Sequence, residues 1–168
     1  ISLDLSTDEE FINHAVNYLK EKENYISDII LQLRPTYPTR KVNILDECLD
    51  IFIKNRKEYD SLRTIIPFEK SPYKMYKIIK NKLMPLFRDI YSKEGKFINE
   101  PFNQCRQVLP NTYLHNGYID ILNTSILENK TISGLKIYTY LMDKSEYHDI
   151  DTEEDFKIIE KKFINIHF

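Results

Sequence analysis

The chain has 168 residues, 42% hydrophobic and 30% charged, which suits one folded domain, or most of one, with a single substantial core. A net charge of −2 argues against a general nucleic-acid binder, and no apolar run approaches the roughly 18 residues of a membrane span. There is no signal-peptide pattern, and Cys48 and Cys105 lack metal-ligand spacing, so they read as unpaired buried thiols.

Ser6-Thr7-Asp8-Glu9 opens the first predicted helix as a capping box, and Phe11, Ile12, Ala15, Val16 and Leu19 give it one apolar face. "DIILQL" (28–33) is nearly continuous and apolar, the pattern of a strand buried on both faces of a parallel sheet. Its two prolines make "RPTYPTR" a loop. Leu45, Cys48, Leu49 and Phe52 then form the inner stripe of a second helix, and "SLRTIIP" (61–67) reads as a strand, completing a βαβ unit. From Tyr73 to about Gly95, aromatic and aliphatic residues alternate with lysines around an Asn81-Lys82 turn, which predicts a hairpin-like arm. "LKIYTYL" (135–141) is a further strand, and Phe156, Ile159, Phe163 and Ile166 mark the core face of a closing helix. The expected architecture is α/β: a mostly parallel sheet covered by helices, with an antiparallel extension, and its ligands beyond the carboxyl ends of the strands.

Four stretches carry candidate chemistry. On extended backbone, Asp149 and Asp151 of "HDIDTEED" present both carboxylates to one side, roughly 6.5–7 Å apart, suited to a divalent cation. The alternative is that Asp151 caps a helix with Glu154 while Asp149 faces water. Arg34 and Arg40 lie on the proline-stiffened loop, either as held donors or as solvated charges. Lys74, between Tyr73 and Met75-Tyr76, either neutralises an anion or snorkels from its strand. In "RQVLPNTYLHNGYID" (106–120), Arg106 is placed to fork onto a carboxylate and Asn116-Gly117 to supply a turn with a hydrogen-bonding amide; the alternative is a structural turn. His115 and His148 show no partner pattern for a catalytic base. With only Gly95, Gly117 and Gly134, no glycine cluster is present to wrap a triphosphate.

Taken in order, these segments resemble the acylneuraminate cytidylyltransferase family, the CMP-sialic-acid synthetases and their relatives for other nine-carbon sugar acids. "LQLRPTYPTR" is similar to the family's Leu-Gln-Pro-Thr-Ser-Pro-Leu-Arg loop, and "SPYKM" carries its lysine. "CRQVLPNTYLHNG" matches its Arg-Gln-x-x-Pro…Asn-Gly segment, and "DIDTEEDF" its Asp-Ile-Asp-Thr metal motif. The resemblance implies a Rossmann-like nucleotidyltransferase fold, one domain over 1–168 with 72–100 as a projecting dimerisation arm. It implies a cytoplasmic homodimer that makes a CMP-sugar and pyrophosphate from CTP and an acidic sugar, for surface glycan synthesis. It also implies Mg²⁺ on Asp149 and Asp151, which are the catalytic acids, and a sugar pocket lined by Arg34, Lys74, Arg106 and Asn116. Arg34 stands where the family usually has glutamine, and Asp120 where sialic-acid enzymes carry a tyrosine, so the sugar is expected to differ from ordinary sialic acid. The family's triphosphate-gripping loop has no counterpart after Ile1 and is expected upstream, so this chain alone is expected to be inactive. The rival readings are a nucleotidyltransferase for another sugar or nucleotide, and a non-catalytic dimerisation or sugar-binding remnant.

Overall fold

A computed structural model describes residues 6–146 and 148–167, with side chains described as far as Lys161. Helix α1 (Asp8–Glu23) is followed by β1 (Ile29–Gln32), α2 (Val42–Asn55) and β2 (Ser61–Phe68). Four short strands come next: β3 (Tyr76–Ile79), β4 (Lys82–Pro85), β5 (Asp89–Tyr91) and β6 (Phe97–Asn99). The long β7 (Thr112–Asn123), β8 (Ile137–Leu141) and α3 (Glu153–His167) complete the chain. The first helix opens with a reciprocal capping box between Thr7 and Glu10, one residue later than the Ser6–Glu9 box read from the sequence.

The main sheet has the order β1-β7-β2-β8. Strands β1, β2 and β8 run in one direction, and β7 runs against them between β1 and β2. The expected β1-α2-β2 crossover is present, but β7 occupies the gap that it spans. This also corrects the reading of β1 as doubly buried. Among the described residues β1 is an edge strand, and Leu31 is 41% exposed. Continuous apolarity cannot distinguish an edge strand covered by a helix from a central one.

Alternation along the strands builds two cores, one on each face. Leu62, Ile119 and Ile121 point to the α2 side, where they pack with Tyr37, Cys48, Phe52, Ile66, Tyr118 and Met142. Burial pushes the Cys48 thiol up to about 12, keeping it protonated. Its counterpart Cys105 is exposed, contrary to the expectation of two buried thiols. Leu122 points the other way, to Ile12, Ile126 and Leu127, with Val16 and Ile30 packed alongside. Ile12 and Val16 are therefore the seam of α1, and Phe11 is 49% exposed. In α3 Ile159 is buried and Phe156 is 52% exposed; the side chains of Phe163 and Ile166, predicted on the same face, lie outside the described residues.

The segment from 72 to 100 holds two antiparallel ribbons, β3–β4 and β5–β6, in place of one hairpin. The first turns at Lys80-Asn81, one residue earlier than predicted, with φ of 46° and 62° at the two positions, as a two-residue hairpin turn requires.

The "HNGYID" stretch is not a turn between strands. It is a wide bulge inside β7, where Thr64 alone lies opposite the four residues from Asn116 to Ile119. Gly117, at φ +66°, makes the bend. Asn116 fixes it from within: its Oδ1 accepts from Thr64 Oγ1 (2.6 Å) and Tyr118 N (3.2 Å), and its Nδ2 donates to Met142 Sδ (3.3 Å). The loop after β1 rests on this bulge. Arg40 donates from Nε to Tyr118 O (2.5 Å), from Nη1 to Tyr37 O (2.5 Å) and from Nη2 to Arg34 O (2.7 Å). Its guanidinium lies over the Tyr37 and Tyr118 rings, at 5.4 and 5.9 Å.

Two stability predictions follow from these joints. Arg40→Lys removes the planar fork that spans four carbonyls, Gly117 O at 3.4 Å being the fourth, and lowers stability by about 2 kcal/mol or more in a denaturant titration. Gly134, at φ +68°, sits against Asp60, whose carboxylate accepts from Leu135 N (2.7 Å) and Lys136 N (2.9 Å). A β-carbon at 134 would collide with Asp60. Gly134→Ala is expected to cost on the order of 2 kcal/mol, from positive-φ strain plus the clash. Those two amide donors also hold the Asp60 carboxyl below its ordinary 3.8. Its stabilisation is therefore present above pH 4 and is lost as the pH falls through the carboxylate range, a pH dependence that Asp60→Asn reduces.

Candidate functional site

Because β1, β2 and β8 are parallel, the segments leaving their carboxyl ends emerge at one rim of the sheet, where the antiparallel β7 begins. Arg34 follows β1, Lys74 follows β2, Asp149 and Asp151 follow β8, and Arg106 precedes β7. The sequence-predicted residues thus share an end of the molecule, but only some of them touch a common feature.

Arg34 and Asp149 meet over Gly117. The position of a β-carbon at Gly117 lies 3.4 Å from Arg34 Cδ and 3.8 Å from Asp149 Oδ2, ordinary contact distances, so it is the φ of +66° rather than lack of room that calls for glycine there. The segment carrying Asp149 is laced to the loop after β1. Ile150 N donates to Thr36 O (2.9 Å), His148 N donates to the Tyr37 hydroxyl (3.1 Å), and His148 Nδ1 lies 2.9 Å from Thr39 Oγ1. Burial pushes the Tyr37 hydroxyl up to about 12, so it stays neutral in this role. Asp149 Oδ1 is buried without a hydrogen-bond partner among the described residues.

Asp151 is exposed, and it is not the cap of α3. The cap is Thr152: Asp155 N donates to Thr152 Oγ1 (3.2 Å), and Thr152 N and Oγ1 donate to Asp155 Oδ2 (2.8 and 2.7 Å). The capping alternative weighed for Asp151 and Glu154 is thereby replaced by Thr152 and Asp155, one residue further on, and the Asp151 carboxylate is left outside the cap.

Lys74 is exposed at the end of a short 3-10 turn, Pro72–Lys74. Arg106 is also exposed, and it lines a separate hollow of about 380 Å³ with Phe68, Glu69, Ser71, Pro110 and Tyr113. Asn116 is 1% exposed, with its amide spent on the bulge, so it shapes the floor of the site from behind rather than facing a ligand.

Sequence reasoning missed the side chains gathered on Asp120. This aspartate is 3% exposed. Its Oδ1 lies 2.8 Å from His115 Nε2 and 3.4 Å from Arg63 Nε, and its Oδ2 lies 3.5 Å from Arg34 Nη2. Arg34 Nη2 also donates to Asp8 Oδ2 at 2.8 Å, tying the start of α1 to the site. His115 does have an acidic partner, because the bulge folds a five-residue separation back on itself. The available signal was Arg63, the one charged residue in β2.

No protein-family model matches the chain. Over 135 residues it is 28% identical to post-translational flagellin modification protein B of Campylobacter coli, a match covering 79% of this chain and 52% of that protein. Over 101 residues it is 36% identical to CMP-N,N'-diacetyllegionaminic acid synthase of Campylobacter jejuni, covering 59% of this chain and 38% of that one. The chain thus spans about half the length of the first of these relatives and less of the second. Among solved structures, CMP:2-keto-3-deoxy-manno-octonic acid synthetase complexed with CTP superposes with a TM-score of 0.59 at 13% identity, over 96% of this chain and 70% of that one. A 4-diphosphocytidyl-2C-methyl-D-erythritol synthase from Anaerococcus prevotii superposes at 0.50 and 9% identity, over 91% and 64%. At these identities the structural likeness is one of fold. The chain has the Rossmann-like α/β fold of these nucleotidyltransferases, and its sequence is similar to a CMP-sugar-acid synthase, the resemblance that its motifs carry.

Proposed function

We propose that the protein is a cytidylyltransferase that transfers CMP from CTP to an acidic sugar of the nonulosonic type and releases pyrophosphate, in the cytoplasm, for surface glycan synthesis. The observation that carries this reading is the emergence of Arg34, Lys74, Arg106, Asp149 and Asp151 at one rim of the sheet, in a chain 36% identical over 101 residues to a CMP-legionaminic acid synthase.

Asp149 and Asp151 are the residues to hold Mg²⁺. The donor set fits a hard cation: both are carboxylates, Asp149 has an orphaned buried oxygen, and Asp151 is released from capping by Thr152. When bound, the ion screens charge on the CTP phosphates. The sugar's anomeric hydroxyl attacks the α-phosphorus in line and pyrophosphate leaves. Exposed at the rim, Lys74 and Arg106 balance the sugar carboxylate; Arg34 contacts the sugar, and Asn116 keeps the floor beneath it in shape. A second copy of the chain is the partner for the ribbons between 72 and 100, where Ile78, Leu83, Tyr91 and Phe97 are 75%, 64%, 66% and 62% exposed.

The native gene product, given CTP, Mg²⁺ and a panel of eight- and nine-carbon sugar acids, is expected to release pyrophosphate; release with none of them overturns the reading. Asp151→Ala is expected to lower turnover at least about a hundredfold with an unchanged melting midpoint. Thr152→Ala is expected to do the reverse, costing about 1 kcal/mol of stability and leaving turnover near that of the unaltered protein. Loss of folding in Asp151→Ala counts against its place at the metal.

A further inference from the structure

The reaction proposed above leaves one step without a residue. As the anomeric hydroxyl attacks phosphorus it gives up its proton, and most groups at the rim are poorly suited to take it. Lys74, Arg106 and Arg34 are cations, Asp149 and Asp151 are committed to the metal, and the Asn116 amide is spent on the bulge. Asp8 is paired with Arg34 at 2.8 Å, and the Tyr37 hydroxyl, pushed up to about 12, keeps its own proton. His148 is engaged through Nδ1 with Thr39 Oγ1. That leaves His115.

His115 stands opposite Ile65 of β2 and Asp120 opposite Arg63, so both side chains lie on the α1 face of the sheet, with His115 nearer the rim. The His115 side chain is 29% exposed and that of Asp120 only 4%, so the imidazole is open to a ligand while its support is closed. Asp120 Oδ1 lies 2.8 Å from His115 Nε2. A carboxylate can only accept, so Nε2 carries the proton and Nδ1 the lone pair; Nδ1 makes no hydrogen bond among the described residues. The charged groups gathered around this pair are Arg63, whose Nε is 3.4 Å from the same Asp120 oxygen, and Arg34, whose Nη2 is 3.5 Å from the other. Two guanidinium groups therefore hold Asp120 in place whatever the charge on the imidazole. Arg34 and Asp149 both flank Gly117, so a run of neighbouring side chains leads from the metal acid through Arg34 and Asp120 to His115.

We propose that His115 is the general base of the reaction and Asp120 its positioning residue. His115 Nδ1 takes the proton of the attacking hydroxyl as the oxygen–phosphorus bond forms and the bond from the α-phosphorus to pyrophosphate breaks. The imidazolium, beside the Asp120 carboxylate, then releases that proton to solvent and is neutral for the next turnover. Asp120 fixes the tautomer and orients the ring. This rests on the sugar-acid reading above.

The test uses the native gene product with CTP, Mg²⁺ and the sugar acid that it turns over. His115→Ala is expected to lower kcat about a hundredfold, with KM for CTP and for the acid changed less than about twofold. Added imidazole is expected to recover about tenfold of that loss, and the fall in kcat on the acid side of the pH profile to disappear. Asp120→Asn is expected to lower kcat about tenfold, with both KM values kept and no response to imidazole. If His115→Ala does not fold, His115→Gln, whose amide can still donate to Asp120, replaces it, and its kcat and pH profile decide. A kcat within about threefold of the unaltered protein, a change in KM alone, or a loss with an unchanged pH profile and no rescue overturns the proposal. Each of those results, seen beside an unaltered protein that releases pyrophosphate, leaves the cytidylyltransferase reading standing. No release by the unaltered protein with any acid overturns both.

Discussion

The structure depends on one irregularity, the bulge in the middle of β7, and on the buried amide that holds it. A regular strand passing Thr64 would carry the side chains of 115 to 120 alternately to the two faces of the sheet. With Asn116–Ile119 set opposite that single residue, His115 and Asp120 come within 2.8 Å of each other, and the backbone carbonyls of Gly117 and Tyr118 turn toward the loop after β1. Asn116, 1% exposed, pairs with Thr64, Tyr118 and Met142, so this shape is strongly specified.

Arg40 converts that local shape into the geometry of the rim. Its guanidinium reaches four carbonyls and lies over two tyrosine rings, so the chain from Arg34 to Arg40 is tied to the bulge. The segment around Asp149 is then laced to the same loop through Thr36, Tyr37 and Thr39. Two arginines only six residues apart thus do different work. Arg40 is half-buried against backbone, and Arg34 runs past Gly117 to Asp8 and Asp120. The rim consequently separates a charge-balanced wall on the α1 side from the exposed cations Lys74 and Arg106, a division suited to a ligand with both neutral and anionic groups.

Much of the architecture was legible because it rests on short-range rules. The start of α1 to within one residue, the Cys48 and Phe52 stripe, the strands β2 and β8, and the closing helix all follow from periodicity and capping chemistry. The errors of exposure share one physical source, partners distant in sequence, whereas the shifted cap of α3 is a local choice. β1 became an edge strand because its neighbour is β7, some 80 residues further along the chain. Phe156 lies outside the core, and the cap of α3 moved by one residue because Asp155 binds Thr152. In the site, Arg34 and Asp149 were both singled out from sequence, while Arg63 and His115 became visible only through their shared contact with Asp120.

By itself, the sequence determined the three helices and the strands β1, β2 and β8 in their order, because these depend on local pattern, but not the long β7 between β1 and β2; the residue types expected for an acidic sugar, a nucleotide and a metal came from motif resemblance. Tertiary structure alone decided that Asn116 serves the interior, that Thr152 leaves Asp151 uncapped and that Asp120 gathers two arginines and a histidine. The reason is geometric: a bulge shifts register without leaving any trace in hydrophobic periodicity, and the side chains that meet across it belong to strands which the linear order keeps far apart.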